Sequence, residues 1–271
     1  MNLSFLLAHI RKDLAEILGK LGAGKPRAGW VAARTHGLNL AVLLAEKCRQ
    51  PVVECPVCGW RGFRFRAVDD EYSILRDVQC PRCEACGRHR LLLLYLEKGA
   101  PNLLETPCTV LQIAPEMSLL RYFAGKPGVR VFLTDLLPPK LLPHGQPKFR
   151  TDLRRLALKD DCLDRVVCVH VLEHIDDDRA AVRELFRAVA PGGKAIFMVP
   201  GSGSLDRTVE YDPAGPLRFG HLRDYSPKDT PARLAPFSVT TILRNDFLAP
   251  EEWFRYGLHD YDFIFLAEKP R

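Results

Sequence analysis

Cys55-Pro56-Val57-Cys58 and Cys80-Pro81-Arg82-Cys83 are two CxxC pairs, the second opening 21 residues after Gly59. Each CxxC brings two thiolates together on one tight turn, and two such turns supply the four soft ligands of a closed tetrahedral Zn²⁺ site. Cys55, Cys58, Cys80 and Cys83 are therefore the expected metal ligands. Cys86 forms an overlapping CxxC with Cys83, and Gly87 follows it as Gly59 follows Cys58, so local turn chemistry leaves the pair Cys83 and Cys86 open. Pro81 repeats the CPxC form of the first pair and favours Cys80 with Cys83. Four thiolates leave no position for water or substrate, so the zinc is expected to be structural.

A second group of residues suits a nucleoside. Val110 to Ile113 reads as a buried strand running into Ala114-Pro115-Glu116. The next apolar run, Val131 to Thr134, ends at Asp135, 19 residues past Glu116. A carboxylate so spaced is positioned to accept both ribose hydroxyls of an adenosine. Dinucleotide sites need a glycine-rich turn so that backbone N–H groups can approach a pyrophosphate. This loop has no glycine, Pro115 removes a donor, and Glu116 repels phosphate. An adenosine cofactor without phosphate, such as S-adenosylmethionine, fits; a plain strand-to-helix turn with chance acids fits the loop alone equally well.

Three further stretches decide between them: Thr151-Asp152-Leu153, Asp164 to His174 (DRVVCVHVLEH), and Arg183 to Gly193 (RELFRAVAPGG). In this order after Asp135 they resemble the class I S-adenosylmethionine-dependent methyltransferases of the type 11-like pattern. Residues 55–134 look like a subgroup with an N-terminal zinc ribbon, marked by CPxC, a later CPRC with an RHR tail (Arg88-His89-Arg90), and APE at the first strand (Ala114 to Glu116). The resemblance implies that Ala114, Pro115 and Glu116 line the methionine end of the cofactor. It implies further that Asp135 binds the ribose, that Asp152 and Leu153 meet the adenine edge, and that His170 lies under the cofactor. Departures from the pattern are Gln112, where the family has an acid, Glu116, where it has a glycine, and Arg165, where it often has a small or apolar residue. The first two would reduce cofactor affinity. His174 and His221 are base candidates by residue type, with a capping or core role preferred for His174; no catalytic residue is assigned.

These residues need a scaffold to hold them. Leu3, Leu7, Ile10, Leu14, Ile17 and Leu21 predict an amphipathic helix over 2–22, packed on its own protein, and a second helix is expected from Leu38 to Lys47. The segment between the cysteine pairs suits a short hairpin. Leu91 to Lys98 reads as a helix. Short apolar runs at 110–113, 131–134, 166–169 and 195–199 alternate with helices at 117–124 and 179–189, the second opening after three aspartates and stopping at Pro191-Gly192-Gly193. Such alternation predicts an α/β, doubly wound, mostly parallel Rossmann-like sheet. Runs at 239–243 and 261–267 add a last antiparallel pair. The expected domains are a helical segment 1–51, a zinc-ribbon module 52–90 and a Rossmann-like domain 91–271.

At 271 residues, 47% hydrophobic and 27% charged, the composition is that of an ordinary globular chain. A net charge of +6 permits an anionic partner without arguing for one. Neither a signal peptide nor a membrane span is expected, and crowded CxxC pairs in an unexported chain fit metal better than disulfides, so the expected compartment is the cytoplasm. The leading expectation is methyl transfer to an oxygen or nitrogen of a small molecule or glycan. RNA is the second, docking on arginines 61, 64, 66, 82, 88 and 90 interleaved with Trp60, Phe63 and Phe65, although a solvated ribbon face is the preferred reading of that segment. A non-catalytic binding module of the same fold is the third. Oligomeric state is not encoded in any of these signals.

Overall fold

The computed structural model describes residues 3–45, 50–69, 74–105, 107–137, 145–215 and 218–271. The end of the expected second helix, 46–47, and the centre of the expected hairpin, 70–73, lie outside them. The chain divides into two compact units: one runs to Cys86 and adds Phe254–Gly257, and the other comprises Gly87–Trp253 and Leu258–Arg271. No helix among the described residues is long and apolar enough to cross a membrane.

The first unit opens with α1 (Leu3–Gly22) and α2 (Pro26–Ala45). α2 starts twelve residues earlier than apolar periodicity predicts. Proline suits the first helical turn, and the inner face is built from small and polar residues: Ala28, Val31, Ala32, Thr35 and Asn39 are all buried. That face repeats every three to four positions without looking hydrophobic. Asn39 joins the helix to the hairpin, its amide donating to the Ala67 carbonyl at 2.9 Å and accepting from the Ala67 N–H at 2.7 Å. α1 departs from expectation in another way. Leu14, Leu18 and Leu21 are exposed while Ile10 and Ile17 are half-buried, so the described part of the predicted apolar stripe is only partly packed. Polar pairs orient this helix instead: Lys20 bonds Asp69 at 2.7 Å and Asp13 lies 3.1 Å from His36.

Two short hairpins follow, β1 (Val53–Glu54) with β2 (Arg61–Gly62) and β3 (Arg66–Asp69) with β4 (Ile74–Gln79), both antiparallel. Val53, Phe65 and Ala85 pack with the cysteines into a small core, Trp60 tilting against Phe65 at 5.5 Å.

The second unit begins with α3 (Gly87–Leu94), which takes in Arg88-His89-Arg90. Then come β5 (Cys108–Ile113), α4 (Met117–Ala124), β6 (Val129–Asp135), β7 (Lys148–Arg150), β8 (Leu163–Val169), α5 (Asp178–Ala188) and β9 (Val189–Met198). A two-stranded ribbon of β10 (Val209–Glu210) and β11 (Arg223–Asp224) precedes β12 (Ser238–Ile242) and β13 (Ile264–Glu268). The seven-stranded sheet runs β12-β13-β9-β8-β5-β6-β7, with β13 antiparallel to both its neighbours and the remaining pairs parallel. This is the predicted Rossmann-like α/β sheet with its antiparallel end. Val110, Leu111, Val166, Val167, Ala195 and Phe197 are all essentially inaccessible, as expected where parallel strands are covered on both faces.

Pro191-Gly192-Gly193 does not lie between helix and strand. α5 stops at Ala188, and β9 begins at once with Val189 opposite Leu163; the pairing then resumes at Lys194 opposite Arg165. The triplet is a bulge inside the strand, where Gly192 takes a φ of +77° and donates to the Lys269 carbonyl at 2.8 Å. β7, three residues at the sheet edge, is too short for a periodic signal.

The three aspartates at the start of α5 divide the work. Asp177 caps the helix, accepting from the Ala180 N–H at 2.8 Å, and Asp176 pairs with Arg154 on the surface. Asp178 turns inward and, almost fully buried, accepts from the Tyr225 hydroxyl at 2.9 Å and from Arg233 at 2.9 and 3.1 Å. Replacing Asp178 with alanine strands a buried phenol and one side of a guanidinium. Arg233 keeps Glu210 at 2.7 Å, so a loss of about 3 kcal/mol, at the lower end for a broken buried pair, is expected in a denaturant titration.

Candidate functional site

β5 pairs in parallel with β6 on one side and β8 on the other, so the strand order reverses at β5–β8. Ligands of doubly wound sheets bind beyond the carboxyl ends of the strands at such a switch point. The residues that leave the two strands there are Ala114 and His170, and both hold left-handed backbone, φ +45° and +53°. Neither is a glycine, so each stores backbone strain at this edge.

Most of the residues expected at the cofactor site come together here. Ala114, Pro115 and Glu116 form the turn between β5 and α4, and Asp135 ends the adjacent β6, half-buried, with Oδ1 accepting from the Leu137 N–H at 3.0 Å. Gln112 is buried; its amide nitrogen donates to the Glu116 carbonyl at 3.2 Å, and its Oε1 has no hydrogen-bond partner among the described residues. Asp152 and Leu153 follow β7. Asp152 starts a short 3-10 turn and is gripped by the Arg154 guanidinium at 2.6 Å, while Leu153 is buried in the core, so their side chains are engaged locally.

Glu116 is not the bare repulsive charge that the sequence suggests. Arg88 lies 3.0 Å from its Oε1 and His89 3.4 Å. Burial raises this carboxyl, but its cationic partners outweigh burial and hold it at about 2; burial also disfavours charged His89, so we assign the neutralising role to Arg88. The RHR and APE motifs, 28 residues apart, thus meet in space. Meanwhile Arg90 is fully buried and Phe65 is buried in the small core around the cysteines. Arg64 is paired with Asp77. The arginine and aromatic surface that would dock RNA is correspondingly reduced.

Past β8, His170, Glu173, His174 and His221 gather on one short segment and one loop. His170 is pushed well below its ordinary pKa by burial and nearby positive groups, so it is neutral. Its Nδ1 lies 3.4 Å from Glu173, and its Nε2 4.0 Å from Asp262. Glu173 is fully buried and pushed up to about 8 by desolvation. His174 neither caps nor enters the core: its side chain is 45% exposed, and its Nδ1 meets the Gly220 carbonyl at 3.2 Å. Beyond the ends of β9 and β12 opens a cleft of about 530 Å³, lined among others by Ser202, Ser204, Arg244, Asn245, His259 and Asp262. Burial raises Asp262 to about 6, close enough to neutrality to take up a proton. Sequence reasoning missed Glu173 and Asp262. Glu173 had one signal, an acid inside the otherwise apolar run before His174; Asp262 had none.

In the first unit the sulfurs of Cys55, Cys58, Cys80 and Cys83 all lie within 4.8 Å of one another. Cys55 to Cys83 is 3.6 Å and Cys58 to Cys80 is 3.7 Å. A tetrahedron with metal–sulfur bonds of about 2.3 Å has edges of about 3.8 Å, so the four thiols fit zinc. Cys86 is not in the cluster; its sulfur faces the Glu84 carbonyl at 3.8 Å. The two turns repeat each other. The N–H of Gly59 donates to the Cys55 carbonyl at 2.8 Å and that of Glu84 to the Cys80 carbonyl at 3.0 Å. Both residues are left-handed, φ +70° and +62°. Glycine there relieves a side-chain penalty, so Glu84→Gly is expected to raise stability by up to about 1 kcal/mol at unchanged zinc content, read from the thermal midpoint.

Residues 109–197 match the family described as a methyltransferase domain. No curated protein matches the chain in sequence. Solved structures similar to it include the 1,6-didemethyltoxoflavin-N1-methyltransferase of Burkholderia thailandensis, solved with 1,6-didemethyltoxoflavin and S-adenosylhomocysteine. It is 15% identical, 68% of this chain covering 79% of that one, with a TM-score of 0.48. A SAM-dependent methyltransferase from Archaeoglobus fulgidus is 17% identical, 67% of this chain covering 94% of that one, TM-score 0.48. The [4+2]-cyclase SpnF is 15% identical, 68% covering 80%, TM-score 0.47. The matched segment spans β5 through most of β9 and contains the switch point. The chain carries a methyltransferase domain and is a methyltransferase enzyme.

Proposed function

We propose that this methyltransferase takes its methyl group from S-adenosylmethionine and delivers it to an oxygen or nitrogen of a small-molecule or glycan acceptor. The observation that carries the reading is the chemistry of the edge between β5, β6 and β8. Its groups are acceptors: the Asp135 carboxylate and the Gln112 Oε1, which has no partner among the described residues. An edge rich in acceptors and poor in backbone donors suits ribose hydroxyls, an ammonium and a sulfonium, and disfavours a pyrophosphate.

Asp135 would hold the ribose, the turn Ala114 to Glu116 the methionine end, and the segment at Asp152 and Leu153 the adenine edge, with His170 beneath. Arg88, 3.0 Å from Glu116, offsets the charge that stands where the family has a glycine. When bound, S-adenosylmethionine supplies a methyl group that is already electrophilic. The protein's share is to align an acceptor with it and exclude water. The cleft beside Asp262 is the natural acceptor position, and Asp262 is the group suited to take the acceptor's proton. The four-thiolate site is read as structural zinc in a ribbon over residues 52–90, between the helical segment 1–51 and the methyltransferase domain 91–271.

Release of S-adenosylhomocysteine from S-adenosylmethionine, measured with the protein and either a fractionated small-molecule extract or total RNA, tests the acceptor class. Turnover that follows a small-molecule fraction is expected. Turnover that follows RNA would replace this reading with the second.

A further inference from the structure

Glu173 poses a problem that methyl transfer does not solve. Its side chain is inaccessible to solvent, and neither carboxylate oxygen has a hydrogen-bond partner among the described residues. A buried carboxyl group in that condition is costly in either protonation state unless a cation or a hydrogen-bond partner meets it. What surrounds it is imidazole. His170 Nδ1, His174 Nε2 and His221 Nε2 lie 3.4, 3.9 and 4.0 Å from the same oxygen, Oε1. These distances are too long for direct hydrogen bonds and leave room between the groups.

We propose that Glu173, His174 and His221 form a binding site for a first-row divalent cation, separate from the four-thiolate cluster. One ligand atom from each lies within 4.8 Å of the others. Two imidazoles and a carboxylate suit Mn²⁺, Fe²⁺, Co²⁺ or Zn²⁺, and three protein ligands leave coordination positions open. The surroundings are built as metal sites are. A ligating histidine commonly fixes its ring by bonding its other nitrogen to a carbonyl or carboxylate. His174 Nδ1 faces the Gly220 carbonyl at 3.2 Å, which leaves Nε2 toward Glu173. The His221 ring meets the His174 ring edge-on at 5.1 Å.

The backbone is pinned on both sides. The Leu222 N–H donates to the Glu173 carbonyl at 2.7 Å, tying the loop that carries His221 to the turn that carries the other two ligands. Buried Arg223 donates to the carbonyls of Leu172, Ile175 and Asp176 at 2.9, 2.6 and 2.9 Å, clamping that turn from outside. His170, whose Nδ1 also faces Glu173, lies at the switch point itself. A cation held there would lie beside the region where methyl transfer is proposed, and its remaining positions would suit an oxygen or nitrogen of the acceptor. That last role rests on the function proposed above; the metal site does not.

Calorimetric titration of MnCl₂ into the full-length protein, purified with its thiolate zinc in place, tests the proposal without reference to activity. One Mn²⁺ per chain is expected, bound at least about tenfold more weakly in His174→Ala and His221→Ala and lost in Glu173→Gln. His174 is nearly half exposed, so its variant is expected to fold even if Glu173→Gln does not. The proposal is overturned if the wild type takes up no Mn²⁺, Co²⁺ or Zn²⁺ beyond the thiolate ion. It is equally overturned if both histidine variants bind as the wild type does. A parallel titration with S-adenosylhomocysteine separates this result from failure of the methyltransferase reading.

Discussion

Asp135→Ala is expected to weaken S-adenosylmethionine binding about 100-fold or more while leaving the fold intact. The carboxylate stands at the carboxyl end of β6, where it is proposed to accept both ribose hydroxyls. Hydrogen bonds to a charged group contribute about 1.5–3 kcal/mol each, so losing two removes at least about 3 kcal/mol, or two orders of magnitude in Kd. Asp135→Asn keeps one acceptor oxygen and should fall between the two. The Leu137 N–H loses its partner in the alanine variant, but it is near the surface, where water replaces the bond. Competition binding with S-adenosylhomocysteine, run beside a thermal melt, checks this. A folded Asp135→Ala protein that binds as the wild type does would remove Asp135 from the site.

The second large effect is expected in the first unit. Cys80→Ala should hold one fewer zinc ion per chain than the wild type, and the segment from Val53 to Ala85 should become sensitive to proteolysis. Besides the cysteines, the fully enclosed part of this small core is Val53, Phe65 and Ala85. So few apolar side chains do not offset the conformational entropy of ordering the segment. Structural zinc sites contribute about 10–16 kcal/mol of apparent binding free energy, enough to decide whether such a module folds. Cys86→Ala should keep its zinc and its protease resistance. Metal analysis by inductively coupled plasma mass spectrometry distinguishes the two variants. Loss of the ion in Cys86→Ala alone would transfer the ligand assignment to the other pair.

The cysteine turns show how sequence and structure diverge in detail. Ligand spacing was legible because a CxxC turn has few alternatives. The rival pair drew support from Gly87, since glycine is the residue that most easily holds a left-handed turn end. In the fold that position after the second turn belongs to Glu84, which accepts the strain, while Gly87 opens α3. The central strands were legible for a different reason, because burial on both faces writes itself as short, mostly apolar runs. The inner face of α2 was not, since Thr35 and Asn39 earn their places by hydrogen bonds rather than by apolar area.

The candidate site divides in the same way. The positions of Ala114, Asp135 and His170 were legible because each stands at or just past the end of a buried strand. The ion pair of Glu116 was not legible because its partner, Arg88, lies in another element 28 residues away, and long-range pairing leaves no local pattern. Glu173 and Asp262 were passed over for the same cause. Their properties come from burial among groups that only the fold assembles.

Calorimetric titration of S-adenosylhomocysteine and, separately, NAD⁺ into the wild-type protein goes most directly to the claim that the edge between β5 and β8 holds a phosphate-free adenosine cofactor. One S-adenosylhomocysteine per chain and no heat from NAD⁺ are predicted. Saturable binding of NAD⁺, with none of S-adenosylhomocysteine up to millimolar concentration, would contradict it.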